Sequence, residues 1–276
     1  MNQHSPVASN SNEIRTVQVV DSITKLGPQF RGTVLVAGSH GGSYCGYLAA
    51  LAGLRGVIFN DAGVGLDNAG IGALDYLEQL GMAAATVAHT SARIGDGADM
   101  LARGRISHCN ATARTLGCVE DQPCCEAAEI IQRGHPFEGD APTYEETRKL
   151  LCDAPVKVIA CDSASLVKPD DANTVIITGS HGGRLAGRPG YGLAVQARGA
   201  VFNDAGVGID MAGIQRLEIL DRNSTPAVTV DAMTARIGDA RSTWENGIIS
   251  HFNKQAAKRG ITVGMTVPTF VELLTP

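Results

Sequence analysis

At 276 residues the chain is long enough for one large domain or two small ones. A net charge of −5 without a basic run excludes nucleic acid and anionic membrane surfaces as principal partners. No apolar stretch approaches the ~18 residues of a membrane span, and seven scattered cysteines, an odd number, suggest a reducing cytoplasm rather than a disulfide framework.

Residues 1–14 read as a disordered lead-in, because they are polar and lack the apolar run of a secretory signal. Strands are then expected at Arg15–Val20 and Thr33–Ala37, followed by a small-residue helix at Ser43–Leu54 and a strand at Gly56–Phe59. Ile71, Leu74, Leu77 and Leu80 keep nearly an i, i+3 spacing and predict a helix over Gly70–Leu80. A strand at Ala83–Ala88 precedes a long helix at Gly97–Leu116, with Gly117 as its C-cap.

Residues 118–153 hold Pro123, Gly134, Pro136, Gly139 and Pro142 and read as a connector, with a short helix at Tyr144–Cys152. Further strands are expected at Val156–Ala160, Thr174–Thr178, Ala200–Phe202 and Ala227–Val230, with helices between them as before. Low aromatic content leaves the core to Val, Ile, Leu and Ala, which suits helices packed closely on parallel strands. The expected class is α/β, with mostly parallel sheets flanked by helices and right-handed crossovers.

The polar motifs recur. Ser39-His40-Gly41-Gly42 returns as Ser180-His181-Gly182-Gly183, Asn60-Asp61 as Asn203-Asp204, and Arg93-Ile94-Gly95-Asp96 as Arg236-Ile237-Gly238-Asp239. An Asp-Ser pair, Asp21-Ser22, returns as Asp162-Ser163. The spacing is 141 residues through Ser39 and Ser180 and 143 from Asn60 and Asn203 onward, which places a two-residue insertion near 185–190. Hydrophobic positions drift while the polar ones stay, as a duplicated scaffold permits. This pattern predicts two pseudo-symmetric half-domains, 15–117 and 154–276, derived from an internal duplication.

All three motifs fall at the carboxyl ends of expected strands, where parallel α/β sheets bind ligands. Ser39 and Ser180 are candidate nucleophiles. His40 and His181 are candidate proton carriers, oriented by Asp61 and Asp204. Gly41, Gly42, Gly182 and Gly183 would offer backbone N–H groups to developing negative charge. Arg93 and Arg236 would take a substrate carboxylate, although Asp96, three residues on, could neutralise Arg93 instead.

Asn60, Asn203, His89, and the hydroxyls of Ser91 and Thr234 complete the expected binding set. His108-x-Asn110 and its counterpart His251-x-Asn253 are expected inside a long helix as satisfied core groups. Differences between the copies, such as Asp231 for His89 and Leu185-Ala186 for Tyr44-Cys45, would make one shared site asymmetric. No cofactor is expected. A divalent metal on His40, Asp61 and His89 is chemically reasonable but lacks a spacing signature, and Cys118, Cys124 and Cys125 do not match a structural zinc site.

The expected function is an enzyme, hydrolase or lyase, acting on a small anionic or amide-containing metabolite. A non-catalytic metabolite sensor or partner subunit and a structural assembly protein are the alternatives. A small-molecule substrate is the expected partner, and the small-residue helices are compatible with a homo-oligomer.

Overall fold

The computed structural model describes residues 16–24 and 26–275, so the lead-in expected at 1–14 lies outside the described residues. Two mixed, mostly parallel sheets are flanked by helices. In the first, β1 (Val17–Val20), β2 (Val34–His40), β3 (Gly56–Asn60) and β4 (Ala83–Val87) run parallel in chain order, and β5 (Ile106–Cys109) closes the edge antiparallel to β4.

Alternation along these strands sorts side chains to two covered faces. Leu35, Ala37, Val57 and Phe59 pack on α1 (Ser43–Leu51) and α2 (Ala73–Gln79). Val34, Val36, Ile58 and Ala85 pack on α3 (Gly97–Arg103), α4 (Ala111–Leu116) and α5 (Cys124–Ile131). A fully buried side chain such as Phe59 contributes roughly 1.5–3 kcal/mol through lost water contact. The five-stranded sheet therefore has a core on each side.

The second sheet starts with β6 (Arg148–Cys152), antiparallel to β7 (Val158–Cys161). β8 (Val175–His181), β9 (Gly199–Asn203), α6 (Arg216–Arg222) and β10 (Ala227–Val230) follow. After α7 (Ala240–Asn246), β11 (Ile249–Phe252) closes the far edge antiparallel, and α8 (Lys254–Ala257) and α9 (Val267–Leu273) end the chain's regular structure. Val175, Ile177, Val201 and Val228 pack with Val267 and Phe270 of α9, while Ala200 and Phe202 pack on Leu217 and Leu220 of α6.

Several elements differ from the periodicity reading. The helix expected over Gly97–Leu116 is interrupted by β5. Gly104 turns extended, and a Cβ there would lie 2.4 Å from Met100 O, so the chain leaves α3 and pairs with β4. His108 is consequently a strand residue, and Asn110 caps α4. Tyr144–Cys152 is not helical either, because residues 148–152 pair with β7, and Arg148 joins the buried carboxylate of Asp171. Within the connector α5 forms because Cys124, Ala127, Ala128 and Ile131 make one buried stripe. Finally, no helix follows His181-Gly182-Gly183, since Gly187, Pro189, Gly190 and Gly192 break the segment that matches α1.

The loops after the parallel strands of the two sheets meet, so the carboxyl ends face one another. Leu66 N donates to Ala232 O (2.8 Å) and Ile209 N to His89 O (2.9 Å). At the closest approach, a Cβ on Gly63 would stand 2.8 Å from Gly206 Cα. Ala62, Ile94, Ala205, Ala212 and Ile237 form a small apolar cluster across this junction. These backbone bonds also align His89 with Ala232 rather than with Asp231, because His89 N and Ala232 N donate to Asp61 and Asp204 in the same way. Among the described residues no helix is long and apolar enough to cross a membrane, and all seven cysteines are free thiols.

Candidate functional site

A cavity of about 600 Å³ opens between the two sheets, lined from one side by Ser22, Ser39 and His40 and from the other by Ser163, Ser180 and His181. Both Ser-His-Gly-Gly motifs therefore reach the same space. A depression of about 660 Å³ near Asn173, Arg198 and Lys258 lies at the amino ends of β8–β10 and carries none of the recurring motifs. The shared cavity is the candidate site.

The two histidines are held alike. Gly42 N donates to His40 Nδ1 (3.1 Å), and Gly183 N donates to His181 Nδ1 (3.1 Å). A nitrogen that accepts an N–H must present its lone pair, so the proton of each neutral ring sits on Nε2. Burial lowers His40 to about 4, and burial together with the nearby Arg216 and His40 charges lowers His181 well below its ordinary value. Both rings are thus neutral hydrogen-bond donors at pH 7.

The same bonds engage the glycine amides. Gly41 N and Gly182 N donate to Asn60 O (2.9 Å) and Asn203 O (2.7 Å), and Gly42 N and Gly183 N go to the imidazoles. The expected glycine oxyanion cradle is therefore not formed; the histidines that engage these amides line the cavity themselves and keep Nε2–H as their donor. Ser39 Oγ accepts from Ile23 N (3.0 Å) and Ser180 Oγ from Ala164 N (2.9 Å), which leaves each hydroxyl proton available for another acceptor.

Glu146 and Arg216 are lining residues that the motif reading missed. Glu146 lines the cavity beside Tyr44 and Asp162, and no recurring pattern marks it. Its placement follows from β6: Thr147 N donates to Asp162 Oδ2 (2.6 Å), and Asp162 N donates back to Thr147 O (3.0 Å). Burial and the adjacent Asp162 charge push the Glu146 carboxyl up to about 7, against the hydrogen bond from Tyr44. Tyr44 in turn is pushed up to about 12 by burial and by Glu146. The one available signal was indirect, since the recurring Asp-Ser pairs supply Ser22, Asp162 and Ser163 to the cavity lining.

Other expected site residues organise loops. Asp61 Oδ1 contacts His89 Nδ1 (2.8 Å), not His40, so the expected relay from Asp61 to His40 is not made. Asp204 accepts from Gly206 N and Ala232 N. Asn60 and Asn203 bind the backbone of Ala62 and Ala92, and of Ala205 and Ala235. Ser91 and Thr234 bond to Ala88 O and Asp231 O. All these groups lie outside the cavity lining.

The arginines join the two sheet units. Arg93 meets Asp210 (2.9 Å) and Asp99 (3.3 Å), while Arg236 meets Asp67 (2.8 Å) and Asp239 (3.2 Å). Carboxylates of the protein itself thus take the forks expected to bind substrate, and Asp96 stands only at 3.9 Å from Arg93. Among the described residues no group of three or more His, Cys, Asp or Glu side chains could hold a metal ion, so His40, Asp61 and His89 do not converge as a ligand set.

What the cavity can do is therefore acid–base chemistry: one carboxyl near neutrality, two neutral imidazoles, and serine hydroxyls that include those of Ser39 and Ser180. Comparison of the chain with protein-family models, curated sequences and solved structures finds no match in any of the three.

Proposed function

We propose that the chain is an enzyme that moves a proton on a small anionic or amide-containing metabolite, as a lyase in preference to a hydrolase. The observation that carries this reading is the convergence of Glu146 with His40 and His181 on one cavity. A carboxyl raised to about 7 takes and returns a proton efficiently at neutral pH. Neutral imidazole donors stabilise the oxyanion that forms when a proton leaves carbon beside a carbonyl. Covalent hydrolysis is the weaker reading, because Ser39 Oγ and Ser180 Oγ accept from backbone amides, which activate no nucleophile.

The recurrence of motifs supports a further reading: residues 15–117 and 154–276 arose by internal duplication, with 118–153 as connector, and now share one asymmetric site. No resident cofactor is required by this chemistry.

Incubation with small carboxylic acids and cyclic amides in D₂O, followed by proton NMR, tests the proposal. Wild type is expected to exchange or eliminate a carbon-bound proton, and Glu146→Gln to lose about 100-fold or more of that rate. Amide opening that disappears in Ser39→Ala or Ser180→Ala would instead assign a hydrolase. Binding without turnover would assign a sensor.

A further inference from the structure

The cavity contains a cation that the fold does not require. Arg216 opens α6 and lines the cavity, yet it is only 3% exposed. Its Nη2 donates to Gly183 O (3.0 Å), and its guanidinium carbon lies 4.9 Å from the Phe202 ring centroid. Its Nε and Nη1 have no hydrogen-bond partner. A buried guanidinium without a carboxylate is costly, because little replaces its lost hydration.

The other sheet unit shows that the backbone role needs no arginine. Ala73 N donates to Gly41 O (2.7 Å) just as Arg216 N donates to Gly182 O (2.7 Å). There the small residue at 73 lets α1 approach, and a Cβ on Gly46 would lie 3.1 Å from Ala73 Cα. In the six-stranded unit no helix covers the matching place, and the segment carrying Leu185, Arg188 and Tyr191 borders the cavity instead. The arginine thus stands where one unit has a covering helix and the other has none.

We propose that Arg216 anchors a carboxylate of the molecule bound in this cavity, placing the rest of that molecule between the Ser-His-Gly-Gly motifs. The inference rests on the reading of the cavity as a substrate site. A monocarboxylate matches the charge of one guanidinium and restores the solvation lost on burial. A phosphate dianion fits worse: Arg188 and Arg216 both border the cavity, but Asp162 and Glu146 line the same space and offset that charge. Burial already lowers the Arg216 pKa to about 10, as expected for a cation waiting for a counter-charge.

The test is a titration of ¹⁵N-labelled protein with sodium pyruvate, its neutral analogue pyruvamide, and inorganic phosphate, following the Arg216 Nε–H and Gly183 amide resonances. Pyruvate is expected to move both signals, and pyruvamide and phosphate to bind at least tenfold more weakly. Arg216→Met, which keeps the volume without the charge, is expected to fold with equal or higher Tm and to lose at least tenfold in pyruvate affinity. Unchanged pyruvate affinity in Arg216→Met, or a response to phosphate alone, would overturn the proposal. Glu146→Gln separates the two readings: pyruvate should still move Arg216 Nε–H in that variant. Retained turnover there would sink the catalytic reading and leave the anchor standing.

Discussion

Asp61 and Asp204 occupy matching turns after β3 and β9, and each accepts two backbone N–H groups, yet their protons behave oppositely. Burial works to raise Asp61, but the hydrogen bond and charge of His89 outweigh it and hold the carboxyl below its usual range. Asp204 faces Ala232 where Asp61 faces His89, and burial prevails over hydrogen bonds from Ser250, Ala232 and Gly206, so its carboxyl is raised. One side chain sets the sign. The Ser-His-Gly-Gly turns repeat the lesson: identical residues are followed by α1 in one unit and by an open loop with Arg216 beneath it in the other. Conserved local geometry can therefore carry unequal chemistry.

The largest test of this pairing strikes what the units share. Gly63 has φ +76° and faces Gly206 with no room for a Cβ, so Gly63→Ala combines strain with a backbone clash. We expect a loss of roughly 3–5 kcal/mol, read as a fall in denaturant midpoint, and the same for Gly206→Ala. An equal response would support symmetric packing of the junction; a difference above ~2 kcal/mol would break it.

Next in size are Asn110→Ala and Asn253→Ala. Each amide accepts from two backbone N–H groups and donates to two carbonyls, and both are buried. A loss of about 2–4 kcal/mol apiece is expected.

His89→Ala sharpens the contrast directly. It removes the partner of Asp61 and should make that carboxyl resemble Asp204, costing about 1–3 kcal/mol at pH 7. Ala232→His is the converse experiment, and carboxyl ¹³C shifts at Asp61 and Asp204 read both. Smallest of all should be Arg93→Ala and Arg236→Ala, whose partly exposed bridges contribute about 0.2–1 kcal/mol each.

The pH dependence follows with its sign. His40 and His181 bind protons more weakly folded than unfolded, so stability falls as pH drops below 6.5, with the His40 contribution lost toward pH 4. Glu146 binds its proton more tightly folded, so its contribution falls as pH rises from 4.5 toward 7. The two trends oppose each other. Glu146→Gln should therefore steepen the rise of Tm between pH 4.5 and 6.5.

Much of this was legible in the sequence because strands with apolar runs and turns with fixed polar residues leave local marks. Val34–Ala37 and Ala83–Val87 are strands for that reason, and the shared cavity follows from Ser39, His40, Ser180 and His181. Tertiary partners were not legible. The register of β5 against β4 overrode a helical reading of 97–116, and β6 formed only because β7 offered an edge. Arg93 looked like a substrate fork until Asp210, 117 residues away, took it. Glu146 and Arg216 owe their character to burial, which no motif encodes.

Strain at the junction adds a final difference between sequence and fold. Val64 and Val207 sit at φ +62° and +63°, a region β-branched residues avoid, beside the glycines that make the contact. The junction is held by its partners rather than by local preference.

The most direct measurement is an NMR titration of the wild-type protein with ¹³C-labelled glutamate carboxyls and ¹⁵N-labelled imidazoles. The account predicts a Glu146 midpoint near 7, with His40 remaining in the Nε2–H form until about pH 4. A Glu146 midpoint near 4.5 and a His40 midpoint near 6.5 would contradict it, because neither group would then be tuned for proton transfer in the cavity.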